Sequence, residues 1–380
     1  MSNTIEIREV CDVFDGPHAT PKKTATGPIY LGIDAITADC RLNPLEYNYL
    51  SEEDYKIWTK RVTPVENDIV FSYEATLGRY AMIPANFYGC LGRRLALIRV
   101  KDNRINPTWL YYYFMSPEWK VFIANHTVKG STVDRISVEA FPSYKIPSIE
   151  RQKQDDIVKI LKSIDDRIEN NKRICSELEA MAKSLYDYWF VQFDFPDENG
   201  RPYRTSGGAM EWNDQLKQEI PNGWKVMRIC DIADLYQPKT LSGSDMVENG
   251  LYNVYGANGI IGKYNSYNHE NRTIAITCRG ASCGNFLMTL PKSWITGNAM
   301  VVSPHAEISQ EYLYYTLSKD RISPFITGSA QPQITRENLS NLLVVIADEK
   351  NMTAFSTFSD VVRSKIESSV SENEELTKVR

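Results

Sequence analysis

The feature that most constrains this chain is an internal repeat with a period near 200 residues. Leu110-Tyr111-Tyr112 recurs as Leu313-Tyr314-Tyr315, an offset of 203 residues. Gly130-Ser131 recurs as Gly328-Ser329, an offset of 198 residues that continues without a gap to the C-terminus. Solenoid repeats span only roughly 20–50 residues. The repeat therefore indicates two copies of a whole domain within one chain.

Two further matches extend the repeat towards the N-terminus. Cys11-Asp12 matches Cys230-Asp231, and the strand-like run Asp68–Phe71 matches Thr273–Ile276. A chain of 380 residues can bury two substantial cores. The repeat predicts an α+β protein with a first domain over residues 1–149, a long helix over 150–195, a connector and second domain over 196–347, and a C-terminal helix over 348–380.

The first domain combines β-rich runs with Gly and Pro turns, which is typical of a mixed α/β domain. We predict strands over Ile29–Ile33, Asp68–Ser72 and Leu95–Val100. We predict one helix over Pro107–Phe122, entered at Asn106-Pro107, because proline suits the first helical turn. The matching helix of the second copy is predicted over Gln310–Leu317.

Residues 150–190 contain neither glycine nor proline and show apolar positions at helical spacing. In a heptad frame, Leu161, Ile168 and Cys175 broaden the stripe at position e, and position d falls on Ile160, Arg167, Ile174, Met181 and Tyr188. The a positions predicted to pair the two helices are Ile157, Ile164, Asn171 and Leu178 in the first copy, and Phe355, Val362, Ser369 and Leu376 in the second.

The polar interruptions of the two helices coincide under the offset of 198 residues. Asn171 matches Ser369 at position a, and Arg167 matches Lys365 at position d. A polar residue at one a position costs stability but fixes the register of a coiled coil. This pattern favours pairing of the two helices with each other, although each helix could instead pack on its own globular domain.

The connector between the first helix and the second copy is rich in Pro, Gly and charged residues, which predicts a flexible loop and a domain boundary. Asp197-Glu198 lies in this connector. An acidic pair could suggest a nuclease, but no basic partner follows at the required place. Solvated loop charges are the better interpretation.

The composition is that of an ordinary globular protein, with 42% hydrophobic and 24% charged residues and a net charge of −5. The net charge disfavours an overall positive field, so any affinity for DNA must come from local basic clusters or from a partner. The seven cysteines form no C-x-x-C pair, and none lies near a histidine at zinc spacing. We expect reduced thiols and a cytoplasmic protein, without a membrane span or secretory signal.

The sequence lacks the motifs expected of an enzyme in this size class. Its Asn-Pro pairs, at Asn43 and Asn106, lack the second proline of an adenine methyltransferase motif. The glycine-rich run Gly256–Tyr264 fails the spacing of a phosphate-binding loop and ends in tyrosine where magnesium coordination needs Ser or Thr. The four histidines form no cluster in the sequence. We therefore predict no catalytic activity and no metal site for this chain.

Several runs give the chain a resemblance to the DNA-specificity subunits of type I restriction–modification systems. The resemblance covers essentially the whole chain. The runs that carry it are Ser184–Pro196 (SLYDYWFVQFDFP), Asn199–Tyr203 (NGRPY), Ile220–Trp224 (IPNGW), Tyr255–Gly262 (YGANGIIG) and Thr277–Gly280 (TCRG).

The resemblance implies two target-recognition domains separated by two long antiparallel helices that form a coiled coil. In that family, each domain recognises one half of a split, asymmetric site in double-stranded DNA. The helices set the gap and dock two modification subunits, which bind S-adenosylmethionine and methylate adenine. Restriction subunits add ATP-driven translocation and cleavage. The resemblance thus implies that S-adenosylmethionine, ATP and Mg belong to partner subunits and that this chain binds no cofactor.

Loops with Arg, Lys, Ser, Thr and Gln are natural donors to phosphates and base edges. The loop Lys129–Arg135 and the loop Ser329–Gln333 occupy equivalent places in the two copies. The residues predicted to contact DNA are Lys22, Lys23, Arg79, Lys129, Ser131, Thr132 and Arg135 in the first copy, and Lys239, Lys263, Tyr264, Arg279, Ser282, Gln331, Gln333 and Arg336 in the second.

Three other functions stay open at this level. The first is a single-chain methyltransferase or nuclease, which the absent motifs disfavour. The second is an adaptor whose coiled helices join partners without contacting DNA. The third is a specificity subunit of a related system in which methylase and nuclease are fused in one partner.

Overall fold

The computed structural model describes residues 4–130, 133–256, 258–328 and 330–380. The chain divides into two compact units, Met1–Asp166 with Arg380 and Arg167–Val379. No helix in the described ranges is long and apolar enough to cross a membrane.

The strands are β1 Thr4–Glu6, β2 Cys11–Asp15, β3 Thr24–Leu31, β4 Asn48–Tyr49, β5 Ile69–Ser72, β6 Tyr80–Met82, β7 Gly89–Leu91, β8 Leu95–Val100, β9 Lys145–Pro147, β10 Met210–Asn213, β11 Gln218–Pro221, β12 Lys225–Arg228, β13 Ala233–Tyr236, β14 Tyr252–Gly256, β15 Gly259–Tyr264, β16 Ile274–Thr277, β17 Phe286–Met288, β18 Trp294–Ile295, β19 Ala299–Pro304, β20 Ile326–Thr327, β21 Gln333–Ile334 and β22 Leu343–Ile346. The helices are α1 Ile7–Val10, α2 Glu52–Trp58, α3 Pro107–Met115, α4 Pro117–His126, α5 Arg151–Tyr186, α6 Ile229–Ile232, α7 Gln310–Thr316, α8 Lys319–Ile322, α9 Arg336–Leu339 and α10 Glu349–Val379.

The sheets of the first unit recur in the second with the same strand order. The first unit has an antiparallel sheet β2-β8-β5-β6 and a smaller sheet β4-β3-β7, in which β3 and β7 are parallel. The second unit has β13-β19-β16-β17 and β15-β14-β18, in which β14 and β18 are parallel. In addition, β1 pairs with β9 and β12 pairs with β22. The predicted duplication of a mixed α/β domain is confirmed.

The strand registers correct one of the sequence matches. β2 and β13 hold the same place in their sheets and begin at Cys11 and Ala233. The predicted match of Cys11-Asp12 with Cys230-Asp231 is therefore wrong, because Cys230 lies one helical turn earlier, in α6. The match of Asp68–Phe71 with Thr273–Ile276 is confirmed, since these runs enter the equivalent strands β5 and β16.

The helix predicted over Pro107–Phe122 is two helices, α3 and α4, that meet at Ser116-Pro117. Pro117 cannot donate the backbone hydrogen bond that a continuous helix needs, so it starts a new helix, and the hydroxyl of Ser116 caps it. The predicted entry is confirmed, since the side chain of Asn106 accepts from the first free backbone N–H groups of α3.

The remaining predicted elements are confirmed with shifted bounds, the largest of which is at β3, which begins at Thr24 instead of Ile29. β3 ends at Leu31 instead of Ile33, β5 begins one residue late, β8 matches the prediction, and α7 ends at Thr316. The tyrosines and tryptophans of α3 and α4 belong mainly to the core. Trp119, for example, is 1% exposed and donates its indole N–H to the hydroxyl of Tyr80 at 2.7 Å.

The long helices α5 and α10 contact each other within the second unit. Arg167 and Asn171 hydrogen-bond Glu372, while Glu179 pairs with Arg363. As the residue number rises along α5 it falls along α10, so the two helices run antiparallel there. α5 continues into one π-helical turn, Asp187–Val191, before the chain leaves the helix.

The burial pattern follows the heptad frame of the sequence at most of the a positions, whereas the d positions are mixed: Ile174 and Phe358 are partly buried and others are exposed. Phe355, Val362, Ser369 and Asn171 are buried, whereas Ile164, Leu178 and Leu376 are partly buried and Ile157 is exposed. At position d, Ile160 is 62% and Met181 is 47% exposed. Position e provides the other half of the stripe, with Ile168 buried on α5 and Ser359 on α10. Spacings of three and four residues occur in both frames, so the sequence pattern alone does not separate them.

The ends of the connector after α5 pack against the core of the second unit, and most residues between them are exposed. The predicted loop is confirmed, and its flexibility stays a prediction. Phe195 stacks on Tyr203 at 4.5 Å and on Trp224 at 5.0 Å between ring centroids. The carboxylate of Asp197 accepts from the backbone and guanidinium of Arg201, which closes a tight turn. Aromatic side chains thus hold the ends of the connector.

Candidate nucleic-acid interface

In the first unit, three loops leave the same edge of the four-stranded sheet. β2 ends at Asp15, β5 ends at Ser72 and β8 begins at Leu95. The register pairs Asp15 with Ala96 and Ser72 with Leu95, so these strand ends are neighbours. The loops over residues 16–23, 73–79 and 92–94 therefore emerge side by side.

The second unit repeats this edge. β13 ends at Tyr236, β16 ends at Thr277 and β19 begins at Ala299. The loops over residues 237–242, 278–285 and 296–298 leave there. An added Cβ on Gly297 would meet the hydroxyl of Thr240 at 2.7 Å, so two of these loops touch.

A fourth segment joins the edge in each copy by equivalent backbone hydrogen bonds. Ile136 N–H donates to Tyr73 O at 2.8 Å, and Ile334 N–H donates to Cys278 O at 2.9 Å. On the other side, Tyr73 N–H donates to Arg94 O, as Cys278 N–H does to Asn298 O. The loops that end in β-bridges at Glu74–Arg135 and Arg279–Gln333 are thus held by the same backbone framework.

The turn that begins this fourth segment depends on glycine in both copies. A Cβ at Gly130 would lie 2.3 Å from Val133 O, and a Cβ at Gly328 would lie 2.5 Å from Gln331 O. Gly328 also has φ +88°, a left-handed conformation that favours glycine. The close approach of backbone to backbone explains why this pair of residues recurs.

Most of the DNA-contacting residues predicted in the first copy are exposed at these loops, whereas Arg79 is tied down. Its guanidinium donates to Ile36 O at 3.0 Å and is half-buried. Ser131 and Thr132 lie outside the described residues. The exposed ones are Lys22, Lys23, Lys129 and Arg135.

In the second copy, the predicted residues fall into two groups. Lys263 and Tyr264 lie on β15, where Lys263 pairs with Glu374 of α10 at 3.7 Å and Tyr264 meets Trp294 edge to face. These two are therefore not part of the loop edge. The second group comprises Ser282, which is half-buried, and the exposed loop residues Lys239, Arg279 and Gln331, together with the exposed Gln333 of β21 and Arg336 at the start of α9.

Sequence reasoning missed Arg93 and Arg94, which form the short loop between β7 and β8. Arg93 is exposed, while Arg94 adopts φ +70° and pairs with Glu74 at 3.1 Å. The dipeptide of two arginines between two strands was a visible signal. The second copy has Gly297-Asn298 at this place, so the two copies differ in charge at this loop.

The two cysteines near the second edge, Cys278 and Cys283, are buried. Burial raises the pKa of the Cys278 and Cys283 thiols, so both are protonated at neutral pH. The thiol of Cys283 donates to Cys278 O at 3.4 Å. Among the described residues, no group of three or more His, Cys, Asp or Glu side chains is arranged to hold a metal ion.

A comparison with protein families matches two separate ranges of this sequence. The family model described as type I restriction modification DNA specificity domain matches residues 2–180 and 221–378, most of the chain. The two matched ranges correspond to the two copies, each with part of its long helix.

Individual relatives share between a fifth and a third of their aligned residues with this chain. The type I restriction enzyme MjaIX specificity subunit of Methanocaldococcus jannaschii is 28% identical over 54% of this chain and 45% of that protein. The EcoprrI specificity subunit of Escherichia coli is 23% identical over 74% of this chain and 67% of its own length. The chain thus spans less than half of the MjaIX subunit.

Among solved structures, the S subunit of a type I restriction–modification system from M. genitalium superposes with a TM-score of 0.54. The alignment covers 99% of this chain and 93% of that one at 17% identity. This likeness concerns the fold alone.

Proposed function

The chain belongs to the family of type I restriction–modification DNA specificity subunits, and we propose that it recognises a bipartite, asymmetric DNA site with one half-site for each copy. Family membership makes it a non-catalytic subunit with DNA-recognition domains. The recognition of two unlike half-sites is the finer step that we add.

The observation that carries the proposal is the equivalent loop edge with unlike side chains. The backbone bonds of Tyr73 and Cys278 recur in both copies. Glu74 stands where the second copy has Arg279, and both lie in equivalent bridges. Sequence is recognised by side chains at base edges, while the backbone framework only positions them. Two equal frameworks with different side chains therefore favour two different half-sites.

The dimensions of the long helices are compatible with a split site. α5 contains 36 residues, which is about 54 Å at about 1.5 Å per residue. Half-sites one duplex turn apart are separated by about 34 Å. A helix of this length is long enough for that separation.

We further propose that modification and restriction subunits dock on this chain and that S-adenosylmethionine, ATP and Mg bind to those partners. Exposed apolar side chains on the long helices support a docking role. Ile160 and Met181 on α5 and Val361 on α10 are all about half or more exposed. Contiguous apolar patches mark protein interfaces, so these exposed residues are the positions at which we propose to test docking by substitution.

The test is selection of duplexes from a random DNA pool by the purified full chain. We expect two conserved half-sites of different sequence around a fixed gap. The variant Arg279→Ala should reduce the base preference at one half-site and leave the base preference at the other unchanged. Enrichment of no sequence would support the adaptor function instead, and identical half-sites would contradict the proposal.

A further inference from the structure

The second unit contains a cluster of buried charges that joins its recognition sheet to α10. Glu311, on α7, is 3% exposed and lies between the guanidinium groups of Arg272 and Arg363. Its carboxylate oxygens are 3.4 Å from Arg272 and 3.6 Å from Arg363, and it accepts from the hydroxyl of Ser359. Buried charges are retained only when they are paired in this way.

Arg272 connects this cluster to the outer turns of α10. Its guanidinium pairs with Asp360 at 3.0 Å and with Glu367, and it donates to the hydroxyl of Ser364 at 3.2 Å. Three successive turns of α10 thus hold one side chain. The planar guanidinium can satisfy several acceptors in a fixed geometry, which a lysine cannot do.

Arg272 stands two residues before β16, the strand whose other end carries the loop with Arg279. β16 has four residues, all buried, and a strand rises about 3.3 Å per residue, so about 13 Å of buried strand lies between the short segments that carry the two arginines. A small rotation of the sheet on α10 therefore displaces the recognition loop across the DNA.

In the described part of the first copy, the position equivalent to Arg272 carries no arginine. Asn67 occupies the place of Arg272, and the neighbouring Asp68 pairs with Arg99 of its own sheet at 2.6 Å. The first copy contacts α5 through other residues, by the hydrogen bond from the Asn106 N–H to Gln154 at 2.8 Å and by the ion pair of Arg41 with Asp165 at 2.9 Å.

We propose that Arg272 is a positioning residue that fixes the angle of the second recognition sheet on α10 and so restricts the gap length that this chain accepts between half-sites. This inference rests on the proposed function, because it assumes a split DNA site. According to this inference, the charge cluster of the second copy alone restricts the number of base pairs between the two half-sites. Arg272 itself touches no DNA in this account.

One test measures the position of the loop without DNA. Genetically encoded spin labels at Ala281 and Ser368, both exposed, report the distance between the recognition loop and α10. The variant Arg272→Gln should broaden the distance distribution, and Arg272→Lys should broaden it less. The matched control is Arg228→Gln, which removes an exposed arginine whose partner is its neighbour Asp231. An unchanged distribution in Arg272→Gln would overturn the proposal.

The second test compares the gaps in DNA selected by the full chain and by Arg272→Gln. We expect sites with one more or one fewer base pair to become severalfold more frequent, with both half-sites unchanged. Affinity for the best gap should fall about tenfold, which corresponds to about 1.4 kcal/mol. A single gap in a variant with a broadened loop distance would overturn the proposal. If the unmodified chain selects no split site, the proposed function fails, while the distance measurement still decides the positioning role.

A milder variant covers the case in which Arg272→Gln does not fold. Asp360→Asn removes only an exposed partner of Arg272, since the Asp360 side chain is 61% exposed. It should produce the same broadening to a smaller extent. A folded Asp360→Asn chain with the distance distribution of the unmodified protein would contradict the clamp.

Discussion

The two copies share a backbone framework at the loop edge of the four-stranded sheet and differ in the charges that this framework presents. Tyr73 and Cys278 make the same pair of backbone bonds to their neighbours. The first copy carries Arg93-Arg94 between its strands where the second carries Gly297-Asn298. Because side chains at the ends of strands can change without cost to the sheet, recognition can diverge while the fold is retained.

The same contrast appears where each copy meets its long helix. Asp165 on α5 binds Arg41, Arg380 and the hydroxyl of Tyr112. The residue at the offset of 198 is Arg363 on α10, with Glu179 and Glu311 as partners. The charge at this site is reversed between copies. An acid in one copy and a base in the other give each helix its own set of partners.

The largest effect is expected from breaking the second of these charge sites. Arg363→Met leaves Glu311 buried beside only one cation and should lower the free energy of unfolding by about 3–5 kcal/mol. Asp165→Asn should cost less, since the amide still accepts from Tyr112. Urea unfolding of both variants measures this difference. Equal losses in both variants would show that the two charge sites contribute alike.

The next effect concerns DNA affinity rather than stability. Arg279→Ala should weaken binding by about 1–3 kcal/mol if the exposed guanidinium contacts a base. Arg79→Ala is the matched control, because Arg79 binds Ile36 O within its own copy and should mainly reduce stability. Titrations with a selected duplex and thermal unfolding separate the two outcomes. Unchanged affinity and sequence preference in Arg279→Ala would remove it from the interface.

The glycine turns test whether the two frameworks act on separate half-sites. Gly328→Ala forces a Cβ against Gln331 O in a left-handed conformation, at a cost of about 1–3 kcal/mol. Gly130→Ala meets a similar contact without the positive φ, so its cost should be smaller. Selection from a random DNA pool should show that each variant reduces the base preference at only one half-site. A reduced base preference at both half-sites in either variant would argue against independent recognition.

The smallest effect is expected at the exposed contact between the long helices. Hydrogen bonds from Arg167 and Asn171 lower the pKa of Glu372 from its ordinary 4.5. A lowered folded-state pKa contributes stability above the unfolded value, and this contribution is lost as the pH falls through the folded value. Glu372→Gln should therefore be slightly less stable than the unmodified chain at neutral pH. This difference should shrink below pH 4.5, and a difference that grows in acid would contradict the assignment.

Features that depend on a repeated local pattern were predictable from the sequence. The offset of 198 residues correctly aligned the turns at Gly130 and Gly328, because both need the same close backbone approach. The match of Cys11-Asp12 with Cys230-Asp231 was wrong, since two identical residues are too few to fix the alignment of the two copies. The break at Pro117 was present in the sequence but was outweighed by the apolar run around it.

Features that depend on tertiary contacts were not predictable. The heptad frame places Ile160 at the helix interface, but Ile160 is exposed and its neighbour Leu161 is partly buried, because the tertiary packing decides which of the two faces inward. The cluster of Arg272, Glu311 and Arg363 joins residues that are far apart in the sequence, so no local pattern marks it. Lys263 was assigned to DNA by its charge, although the fold pairs it with Glu374.

The most direct test of the central claim is to express this chain with a candidate modification subunit from the same genome and to locate methylated adenines across that genome. If each copy recognises its own half-site, methylation should occur at one split motif. That motif should have two unlike halves, a fixed gap and one modified adenine on each strand. A continuous or palindromic motif would contradict the account, as would a stable complex of the two proteins that methylates nothing.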